Sequence, residues 1–186
     1  SGWVFGILIA PMGSELGWTR SEIVFAITIS SLLGGLLAAP LGPIVDRYGP
    51  RVLMTTSLAT AGTALIALSF VQEKWQYYLV WAAFGLASPG FFQLAPVVAL
   101  ANWFVRRRPL AFLLFTFGSA MAGIFLTRIA AWLEPQYGWR FVWVAMGALI
   151  WLLVPLTWAT VRRRPEDLGL LPDGDAAPPA APAGEA

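Results

Sequence analysis

Gly42-Pro43-Ile44-Val45-Asp46-Arg47-Tyr48-Gly49-Pro50-Arg51 links two charge-free runs, 23–45 and 52–72. Each run is about as long as the ~20 apolar residues an α-helix needs to cross the hydrocarbon core of a bilayer. A connection this short forces the two helices to run antiparallel. Within it, Gly42 precedes Asp46 by one helical turn. A small residue there lets another helix come close beside an acid at the membrane edge, among arginines and open helix ends. Gly49 permits the tight reversal before the next helix.

The pattern repeats along the chain. The runs 75–105, 109–127 and 141–161 are long enough, or nearly so, to cross as well, whereas 1–14 is apolar but short. That first run has no basic leader and no small-residue cleavage signature, so it reads as the outer end of a span that begins before Ser1. Composition agrees. Of 186 residues, 58% are hydrophobic and only 12% charged, about half the charge a soluble surface carries, and mean hydropathy is +0.70. Six spans use up the length and leave no separate soluble domain. The expectation is an all-α, polytopic transmembrane half-bundle over 1–161, with spans near 1–14 (truncated), 22–45, 52–72, 75–105, 109–133 and 141–161. A linker at 162–186 follows, where Arg162-Arg163-Arg164-Pro165 gives way to an Ala/Pro tail expected to be disordered towards its end.

With no histidine and no cysteine, the chain lacks thiolate and imidazole metal ligands, Cys/His nucleophile pairs and the Ser-His-Asp triad. No paired carboxylates lie inside the spans either, so no enzyme, no metal and no cofactor are expected. Alternate loops hold Arg47, Arg51, Arg106, Arg107, Arg108, Arg162, Arg163 and Arg164, while the opposite ones hold Arg20, Lys74 and Arg140. The positive-inside rule places the larger set, the amino terminus and the 162–186 linker in the cytoplasm. The two arginine triplets are therefore read as topology and not as a nucleic-acid site. Trp18, Trp75, Trp132 and Trp139 near the outer ends, with Trp103 and Trp158 near the inner ends, fit interfacial belts.

The pattern G-x-x-x-D-R-x-G-x-R, lying between the second and third spans on the cytoplasmic side, resembles the loop signature of the major facilitator superfamily. Gly17-Trp18-Thr19-Arg20-Ser21-Glu22, Asn102-Trp103-Phe104, Pro109-Leu110-Ala111 and Pro165-Glu166-Asp167-Leu168-Gly169 are similar to its monocarboxylate-transporter-like and oxalate/formate branch. The resemblance implies the amino-terminal six-helix half of a twelve-helix transporter. It also implies a conformational latch in which Gly42 is the close-contact point, Asp46 the acid, Arg47 and Arg51 its basic companions, and Gly49 the turn. One departure stands out: Trp81 occupies roughly the place where many proton-coupled members carry an arginine, so coupling through that residue does not transfer. Tyr48-Gly49-Pro50-Arg51 and Tyr137-Gly138-Trp139-Arg140 occupy equivalent places after the second and fifth spans, as an inverted 3+3 repeat requires.

Polar and helix-breaking residues inside a span point to a transport path. In the fourth span these are Gly85, Ser88, Pro89, Gly90, Gln93 and Pro96. The resemblance implies that the first and fourth helices line a central cavity, which makes Gln93 the candidate polar contact, with Phe5, Pro89, Phe91 and Phe92 shaping it; packing through small residues is the alternative. Arg128, a charge within a span, either snorkels or pairs with Glu134, or else faces the cavity and grips a carboxylate with two parallel hydrogen bonds.

The expected function is secondary active transport of a small organic anion, a mono- or dicarboxylate, by alternating access, coupled to a proton or a counter-transported anion. The expected location is a plasma membrane, of the bacterial inner-membrane type. The expected partners are the small-molecule solute, the lipid bilayer and a missing carboxy-terminal six-helix half, with no nucleic acid. Drug or sugar transport by another branch, and a non-transporting membrane receptor or scaffold, are the alternatives.

Overall fold

A computed structural model of the protein describes residues 2–92 and 94–162, together with Pro165, Gly169, Leu171 and Asp173; for Trp3 and Asp46 it describes the backbone alone. The described residues form five helices and no strand: α1 Gly2–Leu16, α2 Arg20–Leu68, α3 Lys74–Phe92, α4 Leu94–Trp103 and α5 Arg108–Thr160. At 1.5 Å per residue, the 53 residues of α5 would reach about 80 Å if straight, far beyond a membrane core of about 30 Å. The helix turns back instead at Gly138 (φ 77°, ψ 165°), and α2 does the same at Gly49 (φ 81°, ψ 161°). This backbone region is essentially reserved for glycine.

Both long helices thus consist of two arms, 20–48 and 50–68 in α2, 108–137 and 139–160 in α5. The charged stretches 46–51 and 134–140 stay helical up to a single glycine, where the sequence suggests loops of six or seven residues. Charges at the end of a helix do not by themselves break it; the backbone reversal does. Pro50, directly after Gly49, sits in the first turn of the next arm, where its missing N–H leaves no hydrogen bond unmade.

Arg20–Val45, Arg47–Leu68, Lys74–Trp103 and Arg108–Thr160 are long and apolar enough to cross a membrane, and Val4–Leu16 is a shorter apolar helix. Leu8, Met12, Ile23, Leu65, Tyr77, Trp81, Val142 and Trp143 meet in one core. Large apolar side chains also cover the outside, among them Leu36, Phe70, Leu113, Phe117, Phe125 and Leu152, the last 70% exposed. Such a surface suits a lipid environment better than water.

Glycine contacts set how closely the helices approach. A Cβ at Gly85 of α3 would run into the backbone of Ser30 in α2, so these two helices touch main chain to main chain with nothing between them. A Cβ at Gly147 would lie 2.7 Å from the carbonyl oxygen of Gly62, which packs the second arms of α2 and α5 equally tightly. At the other end of α3, Tyr77 and Tyr78 donate their hydroxyls to the carbonyls of Ile23 and Glu22, both at 3.2 Å. Lys74 forms an ion pair with Glu22 beside them.

Candidate functional site

A hollow of about 410 Å³ opens between the first arm of α2, α3 and both arms of α5. One wall is aromatic, made by Trp81, Phe84, Phe91 and Phe92 of α3; Ile27, Leu126 and Ile150 complete the apolar lining. Hydroxyls of Ser30, Ser31, Ser88 and Ser119 supply its polarity, and no charged residue is among the described lining. A smaller hollow of about 270 Å³ shares Ser31, Ser88 and Phe92 and adds Gly34, Gly35, Ala38 and Pro89. The two form one path along the α2–α3 groove.

The α2–α3 glycine contact lies beside the hollow. Where Gly85 presses on Ser30 the helices are as close as backbone allows, and α3 carries Ser88, Pro89, Phe91 and Phe92 one turn further on. Ser88 spends its hydroxyl proton on the Gly85 carbonyl at 2.9 Å, so it faces the hollow as an acceptor. The aromatic rings meet edge to face, with centroids 5.6 Å apart for Trp81–Phe84 and 5.9 Å for Phe84–Phe91. Such contacts hold the wall in one arrangement. The buried indole N–H groups of Trp81 and Trp143 have no acceptor among the described residues.

The residues singled out from sequence fall in different places. Phe91, Phe92 and Pro89 line the path. Phe5 is only 2% exposed and packs edge-on behind Trp81, centroids 5.2 Å apart, supporting the wall from the core side. Gln93, between Phe92 and Leu94, lies outside the described residues. Arg128 is exposed and follows Ser119 by nine residues, about two and a half helical turns, which puts it on the side of α5 away from the hollow. There it borders an open surface depression with Gly123, Thr127 and Trp132, and no ion pair to Glu134 forms. The Thr127 hydroxyl is used up on the Gly123 carbonyl of its own helix at 2.7 Å.

Ser30, Ser31, Phe84 and Ser119 are wall residues that the sequence reading does not bring together. The adjacent serines in the middle of an apolar run were a usable signal, since hydroxyls there are uncommon without a polar neighbour. Trp81 is visible in sequence only as a departure from a pattern, and the structure makes it the centre of the aromatic cluster.

At the turn 46–51, the backbone of Gly49 makes the reversal. A Cβ on Gly42 would meet nothing within 4 Å, so the close approach attributed to it is not made within this bundle. The Asp46 side chain lies outside the described residues. Arg47 leans over Tyr48, 5.5 Å from the ring centroid, while Arg51 stacks on Trp158 at 3.9 Å, and its buried Nε has no hydrogen-bond partner among the described residues.

The family model described as Major Facilitator Superfamily matches residues 1–184. The chain is 30% identical to the MFS-type transporter pynF of Aspergillus niger, over 88% of this chain and 36% of that protein. It is 30% identical to the membrane sensor protein UhpC of Salmonella typhimurium, over 84% of this chain and 36% of that one. With monocarboxylate transporter 1 of Bos taurus it shares 34% identity over 74% of this chain and 26% of the transporter. The chain thus spans about a third of the length of these relatives.

Proposed function

The chain belongs to the major facilitator superfamily, and on that premise we propose that it forms one six-helix half of a secondary transporter for a small organic anion, a mono- or dicarboxylate. It is an integral membrane protein, with apolar helices of spanning length and an apolar exterior. In the proposed cycle this half rocks against a second half, exposing a shared site to each side in turn. No covalent chemistry and no cofactor take part; a proton or a counter-transported anion is the coupling ion. A plasma membrane, with the 162–186 linker and the amino terminus in the cytoplasm, accords with the arginine distribution.

The observation that carries this reading is the aromatic, hydroxyl-lined hollow against α3. Its neutral lining suits the carbon body of a carboxylate, with serine hydroxyls as hydrogen-bond partners. The countercharge must come from outside the hollow, from Arg128 across α5 or from the second half. Alternating access also assigns the turn 42–51 its role as a latch, in which Gly42 and the donors of Arg47 and Arg51 engage the other half.

The direct test is uptake of labelled lactate, formate and oxalate by the full-length protein in proteoliposomes, alongside Ser31→Leu and Arg128→Gln. Saturable uptake of at least one anion is expected, lost in Ser31→Leu because the leucine fills the hollow. Loss in Arg128→Gln as well would identify Arg128 as the countercharge; full anion uptake there would assign the countercharge to the second half. Absence of any flux would overturn transport and favour a receptor, the reading that likeness to a membrane sensor protein supports.

A further inference from the structure

Beyond α5, the described residues Arg162, Pro165 and Asp173 lie against the end of the bundle. The indole N–H of Trp103, at the end of α4, donates to the carbonyl of Arg162 at 3.2 Å. Pro165 is completely buried. Asp173 then places its carboxylate against the connection between α4 and α5, accepting hydrogen bonds from the backbone N–H groups of Val105 (3.1 Å) and Arg106 (2.7 Å) on Oδ2 and of Arg107 (3.2 Å) on Oδ1. Gly169 (φ 69°) and Asp173 (φ 60°) both adopt left-handed backbone. Aspartate is one of the few non-glycine residues that tolerates this conformation readily.

The other side of the connection is already held. Arg108 donates through Nε to the Phe104 carbonyl at 3.2 Å and through Nη2 to the Ala101 carbonyl at 3.0 Å, closing the last turn of α4. Three successive N–H groups converging on one carboxylate, at the positive end of α5, form the kind of backbone nest that binds anions. These amides precede the first intrahelical hydrogen bonds of α5, so without Asp173 they would depend on water.

We propose that the Asp173 carboxylate is a strap that clasps the α4–α5 connection and ties the chain beyond α5 to it. This extends the proposed function, since it assumes a second half joined through the chain beyond Asp173. With the strap closed, the tether to that half starts at the α4–α5 connection and not at Val161. The movement of α4 and of the first arm of α5, whose Ser119 and Leu126 line the hollow, then acts directly on the tether.

The test is amide hydrogen exchange on the full-length protein in lipid nanodiscs, comparing the unaltered chain with Asp173→Ala and Asp173→Asn, together with trypsin cleavage after Arg162 and Arg163. Asp173→Ala should speed exchange at Val105, Arg106 and Arg107 by tenfold or more and accelerate cleavage several-fold, with exchange at 115–130 unchanged. Asp173→Asn, which keeps one acceptor oxygen but no charge, should fall between. Unchanged exchange at 105–107 in Asp173→Ala overturns the strap, as does equal acceleration along all of α5. Neither readout involves solute flux, so a failure of transport leaves this result standing and the reverse holds too.

Discussion

Tyr48-Gly49-Pro50-Arg51 and Tyr137-Gly138-Trp139-Arg140 reverse the chain in the same way at opposite ends of the bundle, but they are wired differently. Their glycines share one conformation, their tyrosines are exposed, and the residue after each glycine is buried. Each arginine lies over a tryptophan, Arg51 over Trp158 and Arg140 over Trp139. Arg140 then goes further: it pairs with Glu15 of α1 at 3.1 Å and donates to the carbonyls of Ser69 (2.5 Å) and Val71 (3.2 Å) at the end of α2. Trp139 adds a hydrogen bond to the same glutamate at 2.6 Å. Arg51 has its ring contact and a buried Nε with no partner among the described residues. One joint is closed by several hydrogen bonds within the bundle; the other shows fewer among the described residues. The proposed rocking cycle would use this asymmetry, because an end that opens and closes cannot have all its hydrogen bonds committed internally.

The largest effect should come from the shared feature. Gly49→Val and Gly138→Val each force a side chain into backbone nearly closed to it, at a cost of about 1–3 kcal/mol. Thermal unfolding in detergent should show both variants destabilised to a similar degree; a harmless substitution at either site would break the equivalence of the two turns.

The arginines should separate the turns. Arg140→Gln gives up the Glu15 pair and most of its carbonyl bonds, a loss of about 1–2 kcal/mol once its partial exposure is allowed for. Arg51→Gln gives up a cation–π contact worth about 0.5–1 kcal/mol and removes an unsatisfied donor, so its net effect on melting should be smaller. In flux assays the order should reverse, with Arg51→Gln the more damaging. Equal melting losses and equal fluxes would remove the asymmetry.

The smallest effect is acid sensitivity at the Arg51 end, where the Asp173 clasp also lies. The Arg106 N–H, then those of Arg107 and Val105, hold the Asp173 carboxyl below the usual aspartate range, helped by the charge of Arg106. A depressed folded pKa contributes stability that is fully present above the ordinary aspartate value and is lost as pH falls through the lower folded one. Protection factors at 105–107 should thus be flat from pH 7 to 5 and fall only at more acid pH. A fall between pH 7 and 5 would show that another group controls the clasp.

Much of this architecture is legible in the residues. The charge-free runs 23–45 and 52–72 fall inside the two arms of α2, and the repeated Tyr-Gly-x-Arg turns mark where both long helices reverse. The cavity is less legible. Phe91 and Phe92 belong to its wall, but Phe5 stands behind it and Arg128 faces away from it. A membrane helix is apolar all round, so its sequence carries little of the amphipathic signal that tells which face turns inward. Ser30 and Ser31 lie within an apolar run whose rotation the sequence leaves open.

Composition, run length and turn glycines are local properties. They suffice for an all-helical membrane fold, reversals and family, because a bilayer demands a long apolar helix and the backbone at Gly49 and Gly138 demands a residue without Cβ. The rotation of each helix, the Gly85–Ser30 contact beside the hollow, the contact of Asp173 with residues 105–107 and the unequal wiring of Arg51 and Arg140 were decided by tertiary packing alone. Each depends on side chains tens of residues apart meeting at one place, and only the close fit of apolar helices selects which ones meet.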